Sequence, residues 1–409
     1  MSTETALDRT GMHPGLGMVV LLGAMTAFGA VSIDMYLPAV PTIAALLGAE
    51  LAAAERTVAV FFLGMGIGQL IYGPLADRIG RRPPLLAGVT LYVAASIACA
   101  LANSVEILTV ARFAQAIGAC AGIVIARAVV RDRYDPNETA RILSLLMLVM
   151  GLAPILAPLV GSLIMEVAGW RVIFWVLAVF GLATGLAIWL KLPESRSILT
   201  EETARGETAL ASYMIILGDR RLFGYLLTGS LNGACMFTYI VGSPGLLIGL
   251  YGMSPMMFGW VFGVNAIGLV AGTQLNRAML TRWSSDQVLA VAGPMVLGCA
   301  VLLLISALTG WGGLFGILVP LFLILSTFGF TGSNTVAGAL NRDPLRSGTV
   351  SAAFGGFSAG TGAVVSAIAG VLHDGTAKPM ATVMTACAMG AVLSLFLLAR
   401  PAKLLPDNG

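Results

Sequence analysis

Long apolar stretches alternate with short polar ones along the whole chain. A helix needs roughly 20 apolar residues to cross a hydrocarbon core about 30 Å thick. That ruler fits twelve times, over about 16–41, 57–76, 84–102, 106–130, 142–165, 171–190, 222–248, 255–275, 288–309, 311–335, 348–371 and 379–399. None of these stretches has the short strand-like alternation of a membrane β-barrel. The first is too long for the core of a cleaved leader and is expected to remain as a span. The predicted fold class is an all-α membrane protein with twelve transmembrane helices.

The polar interruptions carry the orientation. With the N-terminus inside, the inner side holds Arg9, then Arg78, Arg81 and Arg82, then Arg131, Arg133 and Arg141. Lys191, Arg196, Arg205, Arg220 and Arg221 follow, and after them Arg277, Arg282, Arg342, Arg346, Arg400 and Lys403. Arg56, Arg171 and Lys378 fall on the other side, and Arg112 and Arg127 lie within the fourth span. This bias places both termini in the cytoplasm.

The longest polar stretch, about 191–220, is read as a cytoplasmic central loop between an N-terminal six-helix bundle (1–190) and a C-terminal one (221–409). Short echoes tie the halves together. Gly73-Pro-Leu-Ala-Asp77-Arg78 follows span two, and Gly272-Thr-Gln-Leu-Asn276-Arg277 follows span eight. Arg131-Asp132 follows span four, and Arg342-Asp343 follows span ten. These matched positions predict two pseudo-symmetric, parallel six-helix repeats, an arrangement found in secondary transporters.

Composition narrows the classes further. The chain has 409 residues, 58% hydrophobic and only 11% charged, with a mean hydropathy of +0.92. Soluble domains are about 25% charged. So apolar a chain excludes a soluble enzyme, a disordered protein and a nucleic-acid binder. The cysteines Cys99, Cys120, Cys235, Cys299 and Cys387 sit inside apolar stretches without CxxC spacing, so neither a disulfide framework nor a zinc site is expected. His13 and His373 lie near stretch ends, which argues against a buried histidine relay. Gly64-Met-Gly66-Ile-Gly68 looks like part of a nucleotide loop, but it lies within a span and follows no strand, so close helix packing is expected instead. With no G-x-x-x-x-G-K-[ST], no ATP site is recognisable. An ion gradient is the expected energy source, with no cofactor.

A few residues stand out as candidate chemistry. By these spans, Asp34 is the acidic residue well inside the membrane, in Ser32-Ile-Asp34-Met-Tyr36-Leu-Pro38. A carboxylate there is costly and functional by default. Low-dielectric surroundings favour a protonated carboxyl, which suits loading and releasing a proton. Span four carries Arg112-Phe-Ala-Gln115-Ala-Ile-Gly118, with Arg112 and Gln115 on one helical face. Arg112 and Asp34 have similar depths and are placed to share a polar network; a snorkelling Arg112 is the structural alternative. Arg127, nearer the cytoplasm, is read as interfacial. The C-terminal half offers Asn232, Tyr239, Asn265 and Asn334, and aromatic residues such as Phe237, Trp260 and Phe357, as cavity candidates; Tyr36 joins them from span one. Each alone is more often packing than ligand contact.

Gly73-Pro-Leu-Ala-Asp77-Arg78-Ile-Gly80-Arg81-Arg82 resembles the signature loop of the major facilitator superfamily, G-x-L-x-D-R-x-G-R-R. Gly73 and Gly80 permit a tight helix–loop–helix turn. Asp77 can sit at a helix N-terminus or pair with an arginine such as Arg131, so that the loop latches one conformational state; alternatively, its arginines only set topology. Arg112-x-x-Gln115-Ala116-x-Gly118 is similar to the superfamily's R-x-x-Q-G-x-G, with Ala116 in place of a glycine, which implies proton handling. Gly151-Leu-Ala-Pro154-Ile-Leu-Ala157-Pro158-Leu-Val-Gly161-Ser162 resembles the drug-exporter antiporter motif, with Ala157 and Ser162 at glycine positions and the first glycine displaced. Asp34-Met-Tyr36-Leu-Pro38-Ala-Val-Pro41, Arg131-Asp132-Arg-Tyr134 and Gly348-Thr-Val-Ser-Ala-Ala353 are similar to stretches of the bicyclomycin/chloramphenicol-resistance (Bcr/CflA) exporters. The resemblance implies a monomeric drug:proton antiporter of the bacterial inner membrane. Its partners would be lipophilic drugs, protons and the bilayer, with no nucleic acid and no ATP. An exporter or importer of a sugar or amino-acid derivative is the alternative on the same fold.

Overall fold

The computed structural model describes residues 15–134, 136–195, 209–343, 347–372 and 374–400. Arg9, Arg196, Arg205, Arg346, Lys403, both histidines and residues 196–208 of the central loop lie outside them. Among the described residues there is no strand, and twelve helices are long and apolar enough to cross a membrane. They are α1 (Leu16–Leu46), α2 (Leu51–Ile79), α3 (Arg82–Leu101), α4 (Val105–Arg133), α5 (Pro136–Ala168), α6 (Trp170–Lys191), α7 (Arg220–Leu250), α8 (Pro255–Met279), α9 (Ser285–Thr309), α10 (Gly313–Arg342), α11 (Ser347–Val371) and α12 (Lys378–Ala399). A short connecting helix, Ala209–Gly218, precedes α7.

Local chemistry sets the ends. Ser104, Ser254 and Ser284 cap α4, α8 and α9 through their hydroxyls, and Asp219 caps α7 through the N–H groups of Arg221 and Leu222. Gly80, at φ +99°, makes the α2–α3 turn in a conformation that disfavours any side chain. In α1 the regular helix ends at Asp34, and a 3-10 turn over Leu37–Ala39 follows before helix resumes at Val40. Pro38 has no N–H to return to the Asp34 carbonyl, which accounts for the break. Several spans are longer than expected: α1 continues to Leu46, α2 begins at Leu51 rather than near 57, α5 runs over Pro136–Ala168, and α10 continues to Arg342.

The packing repeats itself with an offset of six helices. In the first half α4 packs on α2, α3 and α1, α6 on α3, and α5 on α1. In the second half α10 packs on α8, α9 and α7, α12 on α9, and α11 on α7. Contacts between halves obey the same rule: α2 meets α11, and α8 meets α5. The result is two pseudo-symmetric six-helix bundles. Large apolar side chains such as Val110, Val179 and Phe315 project outward from the helices, as lipid-facing positions require.

The two seams are lined by small residues. Gly66 lies against Ala359, Gly259 against Ser162, and Gly151 beside Val270. Gly64 and Gly68 of the same run pack on α4 at Ala116 and Cys120. This is the close packing expected of that glycine run. On the face away from the α2–α3 turn, the halves also meet end to end. There Leu37–Ala39 touches α7 and α8, and the Ser162 hydroxyl donates to the Pro255 carbonyl at 2.7 Å.

Candidate functional site

Where the halves face each other they enclose a cavity of about 430 Å³. Phe62, Met65, Phe237 and Phe262 give it an apolar wall, and Asp34, Gln69, Arg127, Tyr239, Asn265 and Ser358 supply its polar groups. Asp34 reaches it from the broken end of α1. The residue is only 5% exposed, and no hydrogen bond or ion pair engages its carboxylate among the described residues. Opposite, Asn265 Nδ2 donates to the Tyr239 hydroxyl at 2.8 Å, and the Tyr239 ring stacks on Phe262 with centroids 5.5 Å apart. Phe62 and Phe237 meet across the halves at 4.2 Å between centroids.

Arg112 is fully buried behind Asp34, not paired with it. Its guanidinium donates to the Ser32 carbonyl at 3.0 Å and to Gln115 Oε1 at 2.6 Å. It lies over the rings of Phe61, Tyr36 and Phe174 at 4.1, 4.6 and 5.9 Å, a cage of aromatic faces in place of a carboxylate. Gln115 continues the network to Ser96 at 2.7 Å, and Ser32 meets the Tyr92 hydroxyl at 2.7 Å. Tyr36 is bonded to Thr57 at 2.7 Å. Arg112, Gln115 and Tyr36 thus hold the interrupted segment of α1 in place, and that segment presents Asp34 to the cavity.

The other cavity candidates separate. Tyr239 and Asn265 line it. Tyr36 faces Arg112 instead, and Asn334 bonds Asn276 at 2.7 Å within the second half. Asn232 borders a separate cleft beside Cys235 and Phe328. Phe357 and Trp260 are exposed on the outer surface at 36% and 59%. Helical periodicity alone does not say which face of α7, α10 or α11 looks inward. Arg127, read from sequence as interfacial, lines the cavity, and so adds a charge of the opposite sign to Asp34. Glu55, missed because α2 was expected to start after it, is 3% exposed inside the fold.

The signature loop forms a knot within the first half. Arg81, 1% exposed, donates to Asp77 at 2.5 Å and to Asp132 at 2.8 Å. Burial works against its charge, but the hydrogen bonds and charges of Asp132 and Asp77 outweigh it and hold the guanidinium above its ordinary value. Glu194, beyond α6, accepts from the backbone N–H groups of Arg81 and Arg82 at 2.7 and 3.1 Å. Asp77 thus engages Arg81, its i+4 neighbour, in an ion pair. Arg131 is largely exposed and reaches Asp132 at 3.9 Å. Gly73 has open space where a side chain would be, so only Gly80 is demanded by the turn. Arg78 stands in the last turn of α2.

The proline-rich stretch of α5 sits between α1 and α8. A side chain at Gly161 would collide with the Met35 carbonyl, just past Asp34. Ala157 is buried, Pro154 lines the cavity, and the Ser162 hydroxyl bonds the Pro158 carbonyl at 2.7 Å.

Comparison with known proteins accords with this architecture. Residues 20–367 match the family model of the Major Facilitator Superfamily. The chain is 33% identical to the uncharacterized MFS-type transporter YdgK of Bacillus subtilis, over 93% of this chain and 95% of that one. It is 26% identical to the bicyclomycin resistance protein homolog of Haemophilus influenzae, over 93% and 95%, and 31% identical to a chloramphenicol resistance protein of Pseudomonas aeruginosa, over 82% and 79%. A bacterial homologue of the human lysosomal transporter Spinster, solved facing inward and unoccupied, shares the fold with a TM-score of 0.66 at 17% identity, over 95% of this chain and 98% of that one.

Proposed function

The chain belongs to the Major Facilitator Superfamily as a multi-pass membrane transporter, and from that premise we propose that it exports small lipophilic antimicrobials, phenicol- or bicyclomycin-like, across the bacterial inner membrane in exchange for protons. One observation carries this reading. Asp34 is the acidic residue lining a mostly apolar chamber between the halves, and its carboxylate has no partner among the described residues. An uncompensated buried carboxylate takes a proton or a ligand's donor group, and it cannot serve both at once. The two resistance-protein relatives support a drug as the ligand.

In this reading the face with the α2–α3 turn is cytoplasmic. Drug enters from that side, lies against Phe62, Phe237 and Phe262, and displaces the proton from Asp34. The halves rock about the α2–α11 and α5–α8 seams. A proton from the outer side then reclaims Asp34 and releases the drug. The Arg81–Asp77–Asp132 knot keeps the cytoplasmic ends of the first half moving as one body. Arg127 favours a second reading, a carrier of a polar metabolite with an anionic group, because it places a cation in the chamber. Transport in proteoliposomes under an imposed pH gradient, with phenicols, bicyclomycin-like compounds and anionic metabolites compared, separates the two. Export of phenicols with drug-dependent proton release, lost in Asp34→Asn, is the expected result. Unchanged proton release in that variant defeats the assignment.

A further inference from the structure

A second, smaller cavity of about 240 Å³ lies between the halves at the outer ends of α2, α7, α11 and α12. Glu55 of α2 is its acid. Among the described residues its Oε1 is buried with no hydrogen-bond partner, and a side chain added at Gly245 would collide with it. The Ser366 hydroxyl of α11 lines the same cavity, also buried and unpartnered. The remaining lining from α7, α11 and α12, including Thr238, Leu246 and Met380, carries no charge. The charged groups nearest in sequence face away: Arg56, Glu50 and Lys378 are exposed, and Asp374 is exposed and bonded to Thr376. His373, in the loop before α12, lies outside the described residues.

Glu55 therefore belongs to the first half, is walled in by the second, and meets no compensating cation among the described residues. A carboxylic acid tolerates that setting and a carboxylate does not. When the outer ends part, water reaches the group and its charge is accommodated. We propose that Glu55 is a second proton-binding site of this transporter, occupied whenever the outer face is closed, so that proton loss at Glu55 opens that face. The inference rests on alternating access but not on the role of Asp34.

The test uses full-length protein in lipid nanodiscs, with spin labels at Leu46 and Leu308 on the outer ends of the two halves, in a transport-competent background lacking the native cysteines. Distances measured by pulsed electron resonance are expected to lengthen as pH rises in wild type, in Asp34→Asn and in His373→Gln. In Glu55→Gln they are expected to stay short at every pH. Infrared spectroscopy of the closed form in the Asp34→Asn background is a second reading, expected to show a protonated-carboxyl band that adding Glu55→Gln removes. Persistence of the wild-type pH response in Glu55→Gln overturns the proposal, as does its loss in His373→Gln, or a closed form without that band. Failure of Asp34→Asn to block export would leave this result standing, so the two readings fail separately.

Discussion

Arg112 donates to the carbonyl of Ser32 at 3.0 Å, two residues before the carboxylate that faces the cavity. A fully buried cation thus braces the backbone of α1 where Pro38 interrupts it, and is engaged there instead of pairing with Asp34. The arginine is a positioning residue. Arg112→Ala removes hydrogen bonds of a charged donor, worth about 1.5–3 kcal/mol each, and opens a void among three aromatic rings. A loss of about 3 kcal/mol is expected, read as a lower melting midpoint in detergent. Arg112→Met fills the aromatic cage without a charge to desolvate, so its midpoint is expected to fall less. In both variants drug export is expected to fall more than drug binding.

Tyr239→Phe tests the opposite wall. It removes the acceptor for Asn265 and one polar group of the cavity. A hydrogen bond of this kind contributes about 1 kcal/mol, so drug affinity is expected to weaken about fivefold, measured by equilibrium binding. Drug-dependent proton release per bound molecule is expected to remain, because Asp34 is untouched.

Asp132→Asn breaks the most buried contact of the α2–α3 knot, where Arg81 and Asp132 side chains are 2% and 5% exposed. Removing one partner of a buried pair costs about 3–5 kcal/mol. Asp77→Asn, at a carboxylate 35% exposed, is expected to cost clearly less. The order of the two melting midpoints checks the assignment, because a role in topology alone predicts no difference.

In the second half, Asp219 caps α7 and pairs with Arg342 at 3.0 Å. Partial burial opposes its charge, but the Leu222 N–H, Arg342 and the Arg221 N–H hold the carboxyl below its ordinary value of 3.8. A depressed carboxyl stabilises the folded form above the ordinary value and loses that contribution as pH falls from there through the lowered value. Wild type is therefore expected to lose slightly more melting temperature between pH 6 and pH 3, taken as roughly spanning the titration of an ordinary carboxylate, than Asp219→Asn. The difference is small because both partners are partly exposed.

Much of this was legible in the sequence because lipid imposes a simple rule on span length and loop charge. The twelve helices and the depth of Asp34 follow from that rule, and the two matched halves from the paired loop motifs; Arg81 lies within the loop motif, but Arg131 is the partner expected there for Asp77. The rest depended on helix rotation and register. Glu55 follows Leu51-Ala-Ala-Ala and precedes Arg56, so the pair reads as a loop until α2 is seen to begin at Leu51. Arg127 and Phe357 exchange expected faces, since small residues on α4 and α11 leave no sharp apolar side from which to judge rotation. The partner of Arg112 was illegible for a different reason: it is a backbone carbonyl, and every residue has one.

The two seams between the halves are surfaced chiefly by glycine, alanine and apolar groups. Few directional bonds have to be broken there for one bundle to turn against the other. Such surfaces are expected to act as bearings, with the resistance to rocking concentrated at the end where Ser162 bonds the Pro255 carbonyl and Leu37–Ala39 touches α7 and α8. Changing those end contacts should retime the cycle without altering what the chamber accepts.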